Sequence, residues 1–208
     1  MIIIGLTGGV ASGKSTVASW MVERQIAVHD ADAVVHNLLT ATGQAVPQII
    51  ANFGQFIVMA DGSIDRKKLG RHVFANPQDL KILESILHPL VRQQRDQFLH
   101  THRRIGSKIV VLDVPLLFET GGDVLCDYVV VVYASEDTIR KRALQRLGMT
   151  EDKLSNILKT QMPTIEKCKR ANFLLNTDLD AEVTRQHLFS WLNDLPLVPN
   201  ILEGDKNA

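Results

Sequence analysis

Five short runs of apolar, mostly β-branched residues punctuate the chain: Ile2–Leu6, Ile26–His29, Ile109–Val114, Tyr128–Tyr133 and the less sharply bounded Phe173–Leu175. They are nearly continuous rather than alternating with polar residues. That pattern suits strands covered on both faces and predicts a parallel sheet buried between helices. Helical periodicity fills the intervals, over Ser15–Gln25, from about Pro77 to Arg103, and over Glu136–Arg146, Glu151–Gln161 and Leu179–Asn193. Strand followed by helix followed by strand is the signature of βαβ units. The expected fold class is therefore α/β, a five-stranded parallel sheet flanked by helices.

Two intervals are too long for plain crossovers. About eighty residues separate the second and third strands, with helical stretches and an "ADGSIDRKKL" turn but no further convincing strand. We assign residues 32–104 to a helical lobe on the substrate side. A second helical insertion, residues 137–170, is rich in Arg and Lys and is expected to be a lid. The nucleotide-binding core then comprises residues 1–31, 105–136 and 171–195. The stretch 196–208 is polar, contains prolines and lacks periodicity, so a flexible tail is expected there. There are no internal repeats.

Composition narrows the function class. A chain of 208 residues supports one substantial domain, or a core with small appendages. Lys plus Arg equals Asp plus Glu at 23 each, leaving no overall field to favour nucleic acid or an acidic membrane surface. Any anion site must be built locally. The two cysteines, Cys126 and Cys168, lie far apart without metal-ligand spacing and read as free thiols in a reducing compartment. The amino terminus lacks the positive region of a secretory signal, and the longest apolar runs, "IVVLDVPLLF" and "YVVVVY", fall short of a membrane span. These features point to a cytoplasmic protein with no nucleic-acid, membrane or obligate protein partner.

The chemistry begins in "IGLTGGVASGKST", residues 4–16, where Gly8-x4-Gly13-Lys14-Ser15 fits the phosphate-loop pattern G-x-x-x-x-G-K-[ST]. Glycines let the backbone turn with positive φ and aim successive N–H groups at one point. The following helix adds unsatisfied N–H groups and the positive end of its dipole. Lys14 is placed to reach β- and γ-phosphates, and the Ser15 hydroxyl to ligate Mg²⁺. A nucleotide triphosphate site is expected, with Gly8, Gly9, Ala11, Ser12, Gly13, Lys14, Ser15 and Thr16 around the phosphates. The alternative is a chance match in a glycine-rich turn, and its position directly after a strand and before a helix argues against it.

No N-K-x-D element for reading guanine is present, and the size and two insertions suggest a small-molecule kinase with ATP as donor. The second strand ends in "VHDADAVVHNL", placing Asp30 and Asp32 at the carboxyl edge of the sheet where ligands gather in open α/β folds. Either carboxylate suits a general base for an attacking hydroxyl; both equally suit helix N-caps. Asp113, closing the third strand in "LDVPLLFE", is similar to a Walker-B carboxylate that holds Mg²⁺, directly or through water, or else it caps a loop. Pro115 stops that strand and turns the chain over the acceptor, and Glu119 reads as readily as a solvated loop charge as a functional one.

In order along the chain, "GLTGGVASGKST", "DAD", "DGSIDRKKL", "VFANP", "LHPLV", "VPLLFE" and "RALQRLGMT" together resemble the dephospho-coenzyme A kinase family, from Met1 to about Trp191. The resemblance implies ATP-dependent phosphorylation of the ribose 3′-hydroxyl of dephospho-coenzyme A, the last step of coenzyme A synthesis. It implies Asp32 as general base, an acceptor-binding surface including His88 with Pro115 and Leu116, and Arg142 and Arg146 as lid arginines closing over the phosphates. Arg142 joins Lys14 and Asp32 as a catalytic candidate. Two departures stand out: His36 replaces an arginine the family often carries, and a frequent "D-N" on the adenine side appears as Asn176-Thr177.

Plainer readings compete. A lone histidine before a proline serves packing or capping more often than binding, although Pro89 disfavours helix at His88 and could turn its ring into a cleft. Arg140, Lys141, Arg142 and Arg146 also fit the solvated face of a helix. Arg66, Lys67, Lys68 and Arg71 fit a solvated surface or, less simply, contacts to acceptor phosphates. Two other functions share the phosphate loop: a kinase for another small alcohol or a nucleoside monophosphate, and a nucleotide-gated binding module.

Overall fold

β1 (Ile2–Gly8) runs straight into the glycine loop and α1 (Lys14–Glu23), and β2 (Ala27–Asp30) follows. In this computed structural model residues 1–196 are described; the expected tail lies outside the described residues apart from its first position. Next come α2 (Ala31–Leu38), α3 (Val46–Phe53), α4 (Arg66–Ala75) and α5 (Pro77–Arg104), then β3 (Ile109–Asp113) and β4 (Tyr128–Tyr133). The chain closes with α6 (Glu136–Leu144), α7 (Glu151–Thr160), α8 (Thr164–Arg170), β5 (Phe173–Asn176) and α9 (Ala181–Asp194).

The five strands lie in the order β2-β3-β1-β4-β5. β1 is central and pairs in parallel with β3 (Leu6 opposite Asp113) and with β4 (Gly8 opposite Val132). Alternate residues feed opposite faces. Ile4, Leu6, Val130 and Val132 cluster with Val17 and Met21 of α1 and Leu188 and Leu192 of α9. On the other face Val129 and Val131 meet Leu117 and Phe118, with Met162 and Cys168 against them. Both faces are covered, which is the physical reason these runs are apolar without interruption.

The chain divides into two compact units, one of residues 1–29 with the chain from 103 onward, the other Asp30–His102. The second has its own core, including Leu38, Ile49, Phe53, Ile57, Leu69, Val73 and Ile86. Asp30 caps α2 through Ala33 N–H, and Asp65 caps α4 through the N–H groups of Lys67 and Lys68. Between α3 and α4 the backbone forms a short 3-10 helix, Gln55–Ile57, and an isolated antiparallel bridge, Val58 with Ile64.

Three local expectations are corrected. α5 matches the helix predicted from about Pro77 to Arg103, and His88 stays helical although Pro89 disfavours it there, because Leu83, Ile86, Leu87, Leu90 and Val91 continue one apolar stripe into the lobe core. That burial outweighs the single backbone hydrogen bond a proline removes. α6 stops at Leu144, short of Arg146. α9 begins at Ala181 because Asp180 caps it by accepting from Glu182 N–H.

Candidate active site

Sterics set the phosphate loop before any ligand is considered. A Cβ on Gly8 would lie 2.5 Å from the Val132 carbonyl oxygen and 2.6 Å from Ser12 Oγ, so β1 can pass this close to β4 only without a side chain. Gly13 has φ 90° and Ala11 φ 55°, two left-handed residues that fold the loop back on itself. Such a conformation at alanine costs on the order of 1 kcal/mol, a strain typical of loops shaped for binding. α1 starts with no side-chain cap and no acidic residue in its first turn, so its leading N–H groups await an acceptor. Ser12 Oγ is buried without a hydrogen-bond partner. Uncapped donors and a sequestered hydroxyl at one turn are the features of an anion cradle.

Lys14, first residue of α1, forms an ion pair with Asp113. Strand register explains the meeting: Asp113 closes β3 directly opposite Leu6 of the strand that feeds the loop. Asp113 is buried, whereas Ser15 and Thr16 are exposed at the helix start. Ammonium, carboxylate and hydroxyl therefore gather at the carboxyl edge of the central strands.

A cavity of about 430 Å³ adjoins the loop, lined among others by Ala11, Gly13, Trp20, Arg142, Arg146, Thr177 and Leu179. Thr177 joins its walls. Its hydroxyl donates to the Ser12 carbonyl at 2.7 Å and accepts from Arg142 Nη1 at 2.9 Å, while Arg142 Nη2 donates to the Thr177 carbonyl at 2.7 Å. One hydroxyl offers one proton and two lone pairs, which suits it to this junction. Asn176, expected on the nucleotide side, instead spends Oδ1 on the Asp178 N–H and does not line the cavity.

Pro115 and Leu116 follow Asp113 in the strand-to-loop turn. The Pro115 carbonyl accepts from the Thr7 hydroxyl and from Lys167 Nζ, both at 3.0 Å, and Leu116 is 40% exposed. Lys167 is fully buried and also pairs with Glu119 at 2.9 Å. Burial pushes the Glu119 carboxyl up, but the Lys167 ammonium and the Met162 N–H together hold it below the usual carboxylate range. Glu119 is thus a paired group at a partly exposed position.

In the Asp30–His102 unit the two strand-edge aspartates part company. Asp30 is the N-cap; Asp32 sits in the first turn of α2, exposed and without a hydrogen-bond or ion-pair partner among the described residues. A cavity of about 730 Å³ in this unit is lined by His36, Arg66, Lys67, Asp61, Asp65 and neighbours. Arg66 Nη1 lies 3.2 Å from His36 Nδ1. His88 is exposed on α5 and lines neither cavity.

A sequence profile described as dephospho-CoA kinase matches residues 2–182. The chain belongs to the dephospho-CoA kinase family. It is 46% identical to the dephospho-CoA kinase of Mesorhizobium japonicum over 94% of this chain and 97% of that protein, and 42% identical to that of Rhizobium etli over all of both. Among solved structures it is similar to TT1252 from Thermus thermophilus, with TM-score 0.81 and 32% identity over 94% of this chain and 98% of that one. The dephospho-CoA kinase from Campylobacter jejuni superposes with TM-score 0.69 and 26% identity, over 92% and 95% of the two chains.

Of the residues the motif reading names, the structure pairs Lys14 with Asp113 and places Arg142 and Arg146 on one cavity. The motif reading misses Thr177, Lys167 and Gln161, whose Oε1 accepts from the Val10 N–H in the loop. Thr177 follows β5 at the sheet's carboxyl edge, a positional signal that could have raised it. Gln161 and Lys167 carry no such signal, because their partners lie 151 and 52 residues away in sequence. No helix among the described residues is long and apolar enough to cross a membrane.

Proposed function

We propose that the side chains gathered around the phosphate loop transfer the γ-phosphoryl group of ATP to the ribose 3′-hydroxyl of dephospho-coenzyme A, giving coenzyme A and ADP. Family membership supports the reaction, the final step of coenzyme A biosynthesis. The observation that carries the residue assignment is the loop itself, with uncapped helical N–H groups and Lys14 beside a buried carboxylate.

The amides of the Gly8–Thr16 loop that are not bonded within the chain receive the polyphosphate oxygens. Lys14 leaves Asp113 for the β- and γ-phosphates, and Arg142 and Arg146 balance charge from the cavity side. Ser15 and Asp113 are hard oxygen donors suited to Mg²⁺, which takes one or two protein ligands and fills its octahedron with phosphate and water. When bound, the ion neutralises charge on the β- and γ-phosphates.

Asp32 accepts the 3′-hydroxyl proton as that oxygen bonds to the γ-phosphorus and the bond to the β-bridging oxygen breaks. Its exposure and lack of a partner leave it available for this role. The cavity holding His36, Arg66 and Lys67 takes an anionic part of the acceptor. Arg66 supplies a guanidinium beside His36, while Asp65 is spent on capping α4 and Asp61 on Ser63. His88, Pro115 and Leu116 contribute further acceptor contacts. With Cys126 and Cys168 both outside any disulfide, the enzyme is read as cytoplasmic.

Incubation with ATP, Mg²⁺ and dephospho-coenzyme A, followed by phosphorus NMR, tests the reading. A new monoester at the ribose 3′ position is expected. Preferential transfer to a nucleoside monophosphate offered alongside would overturn the acceptor assignment.

A further inference from the structure

Gln161 closes α7, and its side-chain Oε1 accepts from the main-chain N–H of Val10, inside the phosphate loop, at 3.2 Å. A Cβ on Gly9 would sit 3.9 Å from the same oxygen and 3.7 Å from Thr164 Oγ1, so the segment leading into α8 lies against the loop at two successive residues. What fixes Gln161 is one residue further on. Met162 N–H donates to Glu119 Oε1 at 2.8 Å, and that oxygen pairs with Lys167 Nζ at 2.9 Å. Lys167 in turn donates to the Pro115 carbonyl, which Thr7 of β1 also holds. The connections form a closed path from β1 through the turn after β3 and the α7–α8 junction back to the loop that β1 feeds.

None of Gln161, Glu119 or Lys167 has a part in the transfer chemistry above. Yet a fully buried ammonium such as Lys167 is costly unless paired, and its pairing with the partly exposed Glu119 offsets that cost rather than adding much net stability. Its return lies in geometry. We propose that Gln161 is a positioning residue that sets the phosphate loop for polyphosphate by holding the Val10 N–H, and that the Glu119–Lys167 pair holds Gln161 in place. A neutral amide fits this position chemically. It satisfies a loop N–H without setting a full negative charge beside a polyphosphate site, as a carboxylate of the same shape would.

Only the nucleotide part of this proposal rests on the kinase reading; the hydrogen-bond path stands apart from it. The test therefore has two readouts on the full chain: residue-resolved amide hydrogen exchange at Val10, and ATP affinity by calorimetry with Mg²⁺. Gln161→Ala speeds Val10 exchange and weakens ATP roughly 2- to 10-fold, the range for one lost hydrogen bond. It raises KM for ATP while leaving kcat at saturation nearly unchanged, the mark of uniform binding. Gln161→Glu keeps Val10 protected but weakens ATP, and the weakening shrinks as pH falls and the introduced carboxyl protonates. Glu119→Gln, a conservative change expected to fold, also speeds Val10 exchange while amides of α9 keep their protection.

Val10 exchange unchanged in Gln161→Ala overturns the proposal whatever ATP does. Faster exchange with unaltered ATP affinity overturns the positioning role. A wild-type chain that fails to bind ATP contradicts the kinase reading instead, and the exchange result still decides the path from Glu119 to Val10.

Discussion

Asp30 and Asp32 are two residues apart in a sequence that makes them interchangeable as caps or bases, and the backbone separates them. Asp30 has extended dihedrals and accepts from Ala33 N–H, as a cap requires, while Asp32 already lies inside the first helical turn. Two substitutions should therefore differ in kind. Asp32→Asn should lower kcat by about 10²–10⁴-fold, the usual cost of removing a general base, with ATP affinity little altered in steady-state kinetics. Asp30→Ala should instead cost about 1 kcal/mol of stability in urea denaturation. Lys14, Ser15 and Asp113 were legible because a motif or a strand end announces each. Thr177 was not: its role is defined by the Ser12 carbonyl, 165 positions away in sequence, and by Arg142, 35 away. Thr177→Val keeps the shape and removes the hydroxyl, so it should free Arg142 from one contact and weaken ATP binding roughly 2- to 10-fold by calorimetry; Thr177→Ser should restore it.

At the scale of elements, the sheet was readable to within a residue or two because continuous apolar runs are required by two covered faces. Helix ends were harder. The long helix over Pro77–Arg103 was readable, but its helical backbone at His88, which Pro89 locally disfavours, depends on the stripe Leu83, Ile86, Leu87, Leu90 and Val91 holding α5 against its core, a tertiary effect no local rule contains. α8 went unseen because it spans only seven residues and is held largely through buried Lys167. That helix also carries a pH dependence. The Glu119 carboxyl sits below the usual 4.5, because hydrogen bonds from Lys167 and Met162 outweigh the upward push of burial. With the folded value below the unfolded one, the stabilisation is complete above about pH 4.5 and is lost as pH falls through the lower folded value. The denaturation gap between wild type and Glu119→Gln should thus be widest near neutrality and should narrow in acid.

Over the whole molecule, balanced charge pointed away from a broad electrostatic partner and toward a locally built anion site. The two units each carry a core of their own. The long insertion was legible as helical, but its cavity was not, because residues such as His36 and Arg66 become neighbours only when α2 and α4 fold together. The account stands or falls on the loop and its lysine driving phosphoryl transfer. The most direct measurement compares wild type with a folded Lys14→Met variant in the rate of 3′-phosphate formation from ATP and dephospho-coenzyme A. The account predicts a loss of about 10²–10³-fold, as for removing a charge stabiliser of the transition state. Transfer by Lys14→Met at the wild-type rate would contradict it.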